Sequence, residues 1–287
     1  MTLISLLVVI LLERMALTKS SLHYASWYNI YRNLLADQIK FDSINSLKKQ
    51  VLICLLLPVL ILFYIQHLLG FSLFGILFSC LILFVCLGCP NQRMLYKKYL
   101  EAANRGDKQA CYEYARQLGM QVDEQEQCKE TFGQTLVWLN FRHYISVIFW
   151  FALLGPAGAI LYAFSMAMLS EIQKLKAEGA ETPFVHAEPV LDHILLVLNF
   201  VPARIATFAY MFVGNFSNAV GYWFEHLFDT QIDTREYVRK VAVAAEDFTC
   251  PDGDCLTEPK VMLKLAKRAV VFCIAVIATL TIAGILQ

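Results

Sequence analysis

A polytopic all-α membrane protein, with about five to six membrane segments and helical segments on the cytoplasmic side, is what this sequence predicts. Three observations lead there. Of 287 residues, 58% are hydrophobic and only 17% charged, whereas soluble domains carry roughly 25% charged residues; mean hydropathy is +0.53. Several apolar runs reach or approach the ~20 residues a helix needs to cross the hydrocarbon core: residues 51–69, 71–89, 144–168 and 270–286, together with the opening segment and 191–214. Basic residues are also unevenly shared between the connections, which is how helical membrane proteins set their orientation. A net charge of zero gives no electrostatic footprint for nucleic acid. The partner that composition names is the lipid bilayer.

The segments follow in order. Residues 1–89 form an N-terminal membrane region. Its opening, MTLISLLVVILLERMAL, lacks a basic leader and a small-x-small cleavage site, so it reads as a retained short span ended by Glu13-Arg14. A polar linker, residues 18–49, is rich in helix formers and carries Trp27, Tyr28 and Tyr31; a hairpin of two spans then turns at residues 67–70. Residues 90–142 read as a cytoplasmic helical region. Apolar residues recur there every three to four positions on both sides of Arg105-Gly106-Asp107, which predicts two short amphipathic helices joined by that turn. Membrane spans resume over 143–214, a second cytoplasmic helical region covers 215–267 with a turn at Pro251-Asp252-Gly253, and 268–287 is a C-terminal span.

Orientation comes from the positive-inside rule. Arg14, Lys19, Arg32, Lys40, Lys48 and Lys49 lie in one connection and Arg93, Lys97, Lys98, Arg105, Lys108, Arg116, Lys129 and Arg142 in another, and the hairpin puts both on one side, the cytoplasm. The connection 169–189 has only Lys174 and Lys176 against four glutamates and is expected in the periplasm. Lys264, Lys267 and Arg268 return 215–267 to the inside, provided that 191–214 crosses.

That crossing segment, LDHILLVLNFVPARIATFAYMFVG, is apolar yet contains Asp192, Asn199, Pro202 and Arg204. A charge at the centre of a spanning helix costs roughly 2.5–3.5 kcal/mol on insertion scales, and proline removes a backbone donor. A simple anchor would avoid all four. Asn140, Arg142 and His143 form a second polar cluster where a soluble helix enters a span, read either as an interfacial anchor or as facing the cavity of Asn199 and Arg204. Glu13 and Arg14 form a third, read as a snorkelling interfacial pair or a site. Asp192 is a ligand candidate or a helix cap.

No phosphate-binding loop, HExxH or GxSxG sequence is present, and six histidines show no ligand spacing. No metal site and no resident cofactor are expected. Nine cysteines, several inside apolar runs, fit buried small hydrophobes better than a disulfide framework. Cys86-Leu-Gly-Cys89 and the pair Cys250 and Cys255 have metal or redox spacing, but the first ends a helix and the second flanks a turn, so both are read as structural.

MTLISLLVVILLER, LVWLNFRHYISVIFWF, LDHILLVLNFVPARIATFAYMFVG, LFDTQIDTREYVRKVA and EPKVMLKLAKRAVVFCIAVIATLTIAGIL closely resemble the AmpE family over the full length and in the same order. Those are inner-membrane proteins encoded beside the AmpD-type muropeptide amidase and linked to induction of the AmpC β-lactamase. More distantly the chain is similar to the CobD/CbiB cobalamin-biosynthesis synthases, through EAANRGDKQACYEYARQL, IFWFALLGPAGAILY and the pattern Asp192, Asn199, Pro202, Ala203, Arg204, with Glu13-Arg14 in the place of that family's Asp-Arg.

The departures decide between these resemblances. Where the synthases carry Glu-Asn-Thr-Ser-Asp-Gly this chain has Leu139, Asn140, Phe141, Arg142, His143 and Tyr144, and their later Asn-Thr-Leu-Asp falls near Met166 to Leu169, again without an acid. Holding magnesium against phosphates needs those carboxylates. The resemblance therefore implies a regulatory membrane protein of the inner membrane, acting on β-lactamase induction in peptidoglycan recycling. It would work through a degenerate, non-catalytic ligand pocket built from Asn199, Arg204, Asp192, Asn140, Arg142, His143, Glu13 and Arg14. A muropeptide or a nucleotide is the expected ligand, and an AmpD-type amidase the expected functional neighbour. Two other readings stay open: a membrane enzyme of the CobD/CbiB type acting on a nucleotide- or amide-bearing substrate, and a transporter, against which no inverted repeat is visible.

Overall fold

A computed structural model describes residues 2–14, 24–38, 47–70, 72–88, 90–122, 128–179, 186–247 and 255–285. Among these the chain is all-α, and its only β feature is an isolated bridge between Val122 and Cys128. The helices are α1 (Thr2–Arg14), α2 (Tyr24–Gln38), α3 (Leu47–Leu69), α4 (Leu73–Cys86), α5 (Pro90–Asn104), α6 (Lys108–Gln117), α7 (Phe132–Asn140), α8 (Ser146–Leu154), α9 (Pro156–Ala177), α10 (Glu188–Val213), α11 (Phe216–Glu225), α12 (Thr234–Ala244) and α13 (Thr257–Ile282).

Four helical stretches are long and apolar enough to cross a membrane: Lys48–Leu69, Phe132–Leu154, Glu188–Val213 and Thr257–Ile282. The number is five only if the bent pair Leu73–Cys86 and Pro90–Asn104 is counted as a single span, and Thr2–Glu13 is a shorter apolar helix. On α10 the residues Val197, Val201, Ile205, Phe208 and Phe212 are exposed at every third or fourth position. That spacing makes one continuous apolar stripe, the face a bilayer covers. Leu191, Leu195, Leu198, Ala203, Ala206 and Tyr210 on the other side are buried. The chain is a membrane protein.

The chain divides into two compact units, 1–88 with 146–199 and 277–287, and 89–145 with 200–276. The first is organised around α9. Pro156 to Leu169 is almost wholly buried there, with Ala157, Gly158, Ala159, Ala163 and Ala167 as small residues, which let neighbouring helices approach closely. α2, α3, α4 and α8 pack on it. Tyr28 meets the Phe164 ring edge-on at 5.6 Å, and Arg32 of α2 pairs with Glu171 of α9.

The expected span 144–168 is not one helix. It breaks at Gly155, whose φ of +66° lies in the region open to glycine, and a Cβ there would meet Gln66 Nε2 at 2.7 Å. Pro156 then opens α9 at its first position, where its missing N–H costs nothing. The crossing helix instead begins upstream, at Phe132.

Two prolines lie inside helices, Pro58 in α3 and Pro202 in α10. Each lacks the N–H that would bond four residues back, leaving the carbonyls of Cys54 and Leu198 free of their helical partner. Both are satisfied from outside. The Tyr31 hydroxyl donates to Cys54 O at 3.0 Å, and Trp150 Nε1 donates to Leu198 O at 3.1 Å. Where no water is available, such replacement donors are what make an intramembrane proline tolerable.

In the second unit α5 and α6 form the expected hairpin. Gly106 turns the chain with φ +74°, and Asp107 caps α6 by accepting from the Ala110 N–H at 3.0 Å. Tyr99, Ala102, Cys111, Ala115 and Leu118 bury against Phe132 and Leu136 of α7. A second core joins α7, α10, α11, α12 and α13 through Val137, Phe141, Ala206, Tyr210, Ala219, Val238, Val241 and Leu265. The region 215–267, expected to be helical, is so at α11, α12 and the start of α13.

Candidate functional site

A π turn, Phe141–Ile145, interrupts the helix between α7 and α8. Such single wide turns recur at functional sites because they re-aim side chains that an α-helix would stack. Here three consecutive residues find different neighbours. Arg142 approaches the Trp138 ring, 5.6 Å from its centroid. A ring nitrogen of His143 lies 2.8 Å from Gln92 Nε2. The Tyr144 hydroxyl accepts from Arg93 at 2.8 Å. Asn140, immediately before the turn, is 8% exposed.

Within this cluster two acceptors are buried and have no hydrogen-bond donor, Asn140 Oδ1 and Gln92 Oε1. A buried acceptor left unpaired costs roughly 1–3 kcal/mol. Both of these acceptors lie beside the π turn. Gln92 and Arg93 were not among the sequence candidates. The only local signal for them was the polar run Asn91-Gln92-Arg93 directly after Pro90, at the start of an amphipathic helix.

A second polar centre in the same unit is closed. The Glu130 side chain is fully buried between Arg235 and Arg239. Arg239 donates to Oε2 at 2.5 Å, Thr135 Oγ1 to Oε1 at 2.9 Å, and the Gln121 N–H to Oε1 at 3.1 Å. Arg235 also donates to Gly119 O at 2.7 Å. Burial lowers the Arg235 pKa, opposed by its hydrogen bond to Glu130, and a guanidinium so held stays charged. Arg235 and Arg239, four apart on α12, share a helix face, but nothing local in the sequence ties them to Glu130, more than a hundred residues away.

The other candidates are engaged elsewhere. Arg204 donates through Nε to Leu227 O at 3.1 Å and through a terminal nitrogen to Asp229 O at 2.6 Å. Its guanidinium also lies 3.8 Å from the Phe200 ring centroid and 4.8 Å from that of Tyr237. These carbonyls and π faces stabilise the charge and clamp the segment between α11 and α12. Asn199 accepts from Tyr162 at 2.8 Å, both side chains buried. Five residues at 100° each set Asn199 and Arg204 about 140° apart on α10, and they share no partner.

Asp192 sits four residues into α10, so it is not the N-cap. It is exposed and acts electrostatically on Lys176, which pairs with Glu188 at 2.6 Å. Glu13 is 5% exposed and lies over Gly88, where a Cβ would meet its Oε1 at 3.0 Å. The side chain of Arg14 lies outside the described residues, as do Cys89, Cys250 and the turn at 251–253. Cys86 is buried and Cys255 half-buried. Among the described residues no group of three or more His, Cys, Asp or Glu could hold a metal.

Taken together, these helices and clusters define a polytopic helical membrane protein whose prolines and span-borne polar groups are mostly satisfied internally. Asn140 Oδ1 and Gln92 Oε1 at the π turn are two of the buried polar atoms left without a partner; Ser5, Gln66, Ser146, Glu171, Tyr210, Tyr222 and Trp223 each hold another. The chain belongs to the AmpE family: the family model described as "Regulatory signalling modulator protein AmpE" matches residues 1–287. Protein AmpE of Shigella flexneri is 29% identical over 298 aligned residues covering the whole of both chains. No solved structure matches. The protein is a regulatory signalling protein of the membrane.

Proposed function

We propose that this is a multi-pass protein of the bacterial cytoplasmic membrane that modulates β-lactamase induction in the peptidoglycan-recycling pathway. It acts without catalysis, by binding a hydrogen-bond-donating ligand at the π turn of Gln92, Asn140 and His143. The observation that carries the ligand site is the pair of donorless buried acceptors, Asn140 Oδ1 and Gln92 Oε1. A muropeptide offers amide and hydroxyl donors to such acceptors; a nucleotide offers its base and ribose. The non-catalytic reading is supported by the state of the carboxylates. Glu130 is neutralised by two arginines, and Glu13 lies against Gly88. Neither is placed to hold magnesium against a phosphate.

The test is Asn140→Leu. Replacing an acceptor that has no donor by an apolar group of similar shape is neutral or stabilising in the folded protein. Membrane insertion and thermal stability are expected to hold while the change in β-lactamase induction caused by deleting the gene is reproduced by the variant. Normal induction by a stable Asn140→Leu protein would remove the site from the mechanism. Saturable binding of a purified muropeptide rather than ATP to the wild type, lost in the variant, would identify the ligand class. Magnesium-dependent ATP turnover would return the synthase reading.

A further inference from the structure

α13 carries Lys260, Lys264, Lys267 and Arg268 at the spacing i, i+4, i+7 and i+8, which places them on one helix face. All four are exposed, and they line a cleft of about 490 Å³ with Tyr96, Leu263 and Val271. No acid lines it. Arg268 is used elsewhere, bonding Glu246 and Val213 O. Lys260, Lys264 and Lys267 have no ion pair or hydrogen bond among the described residues. Three uncompensated charges therefore converge on one concave surface.

What continues from that surface is apolar. Val271, 66% exposed, forms one edge of the cleft, and beyond it Ala275 and Ile282, four and eleven residues on, are exposed on the same face of the spanning helix. Tyr96, beside the lysines, is a residue type that settles at headgroup level. Cations at the rim, an aromatic at the interface and an exposed aliphatic rail below them match the parts of one molecule in order: anionic headgroup, glycerol backbone, acyl chain. A soluble anion would need the charges and have no use for the rail.

We infer that the cleft of Tyr96, Lys260, Lys264 and Lys267 is a binding site for an anionic phospholipid, its phosphate held by the lysines and an acyl chain lying on Val271 and the α13 face below. The site is separate from the π turn and does not depend on the reading given for it.

The experiment uses the full chain in nanodiscs of phosphatidylcholine doped with brominated phosphatidylglycerol or brominated phosphatidylcholine, with tryptophan quenching as the readout of lipid association. Juxtamembrane lysines each contribute on the order of a fivefold preference for anionic lipid. Wild-type protein is expected to favour the anionic lipid, and the triple variant Lys260→Gln, Lys264→Gln, Lys267→Gln to lose at least about tenfold of that preference. The control triple Lys98→Gln, Arg105→Gln, Lys108→Gln removes equal charge from the α5–α6 hairpin and is expected to keep it. Equal losses in both triples would reduce the effect to net charge and overturn the site. Unchanged preference in the α13 triple would overturn it as well. Glycerol phosphate displacing the lipid at comparable concentration would make the site one for soluble phosphate, against the proposal.

Discussion

Replacing Trp150 by phenylalanine removes the one donor that the structure offers to the Leu198 carbonyl, and the cost should depend on what occupies position 202. In the wild type that carbonyl has lost its helical partner to Pro202 and takes Trp150 Nε1 at 3.1 Å instead. Intramembrane side-chain hydrogen bonds average about 0.6 kcal/mol in double-mutant cycles and reach about 1.7, while an unpaired buried acceptor costs about 1–3. A coupling of about 1 to 1.7 kcal/mol is expected, roughly a factor of 5 to 16 in the unfolding equilibrium. Pro202→Ala restores an N–H to α10 that can bond Leu198 O. In that background Trp150→Phe should cost only the packing difference between indole and phenyl, a contribution present in both backgrounds that cancels from the cycle. The assay is reversible unfolding of the four proteins in mixed micelles, followed by far-ultraviolet circular dichroism so that losing a tryptophan does not alter the probe. Equal costs of Trp150→Phe with proline and with alanine at 202 would refute the replacement-donor argument.

The same logic at the other proline predicts that Tyr31→Phe destabilises the protein by about 0.6–1.7 kcal/mol, and that Pro58→Ala abolishes that cost, because the donor lost is the one reaching Cys54 O; equal destabilisation in both backgrounds would count against it. For the buried ion cluster, Glu130→Gln leaves Arg235 and Arg239 without a counter-charge and should cost about 3–5 kcal/mol, read as a collapse of the thermal unfolding midpoint. Adding Arg239→Leu should recover part of the loss, and a stable single variant would show that the cluster is not held by its charge balance.

How much of this was legible in the sequence depended on how local the physics was. The apolar runs and the turn at Arg105-Gly106-Asp107 could be read directly, because hydropathy, glycine's positive φ and an aspartate cap act within a few residues. The break at Gly155 was missed within a run of apolar residues; Gly-Pro-Ala-Gly was the available signal, and it lay inside a stretch whose hydropathy alone favours a continuous span. Of the polar candidates, Asn140 and His143 meet at the π turn with Gln92. Asn199 and Arg204 serve Tyr162 and the carbonyls of Leu227 and Asp229.

Sequence by itself determined that the chain is helical, that it lives in a membrane and roughly where each helix lies, since those follow from transfer energies and backbone propensities summed along the chain. Tertiary structure alone decided what the anomalous residues of the spans are for. A proline's freed carbonyl, an intramembrane arginine or a buried glutamate has no meaning until its partner is known. Those partners, Trp150 for Leu198, Leu227 and Asp229 for Arg204, Arg235 and Arg239 for Glu130, stand from 23 to 109 residues away. Hydrogen bonds act over about 3 Å of space, and the chain separation between their ends is set by how the helices pack.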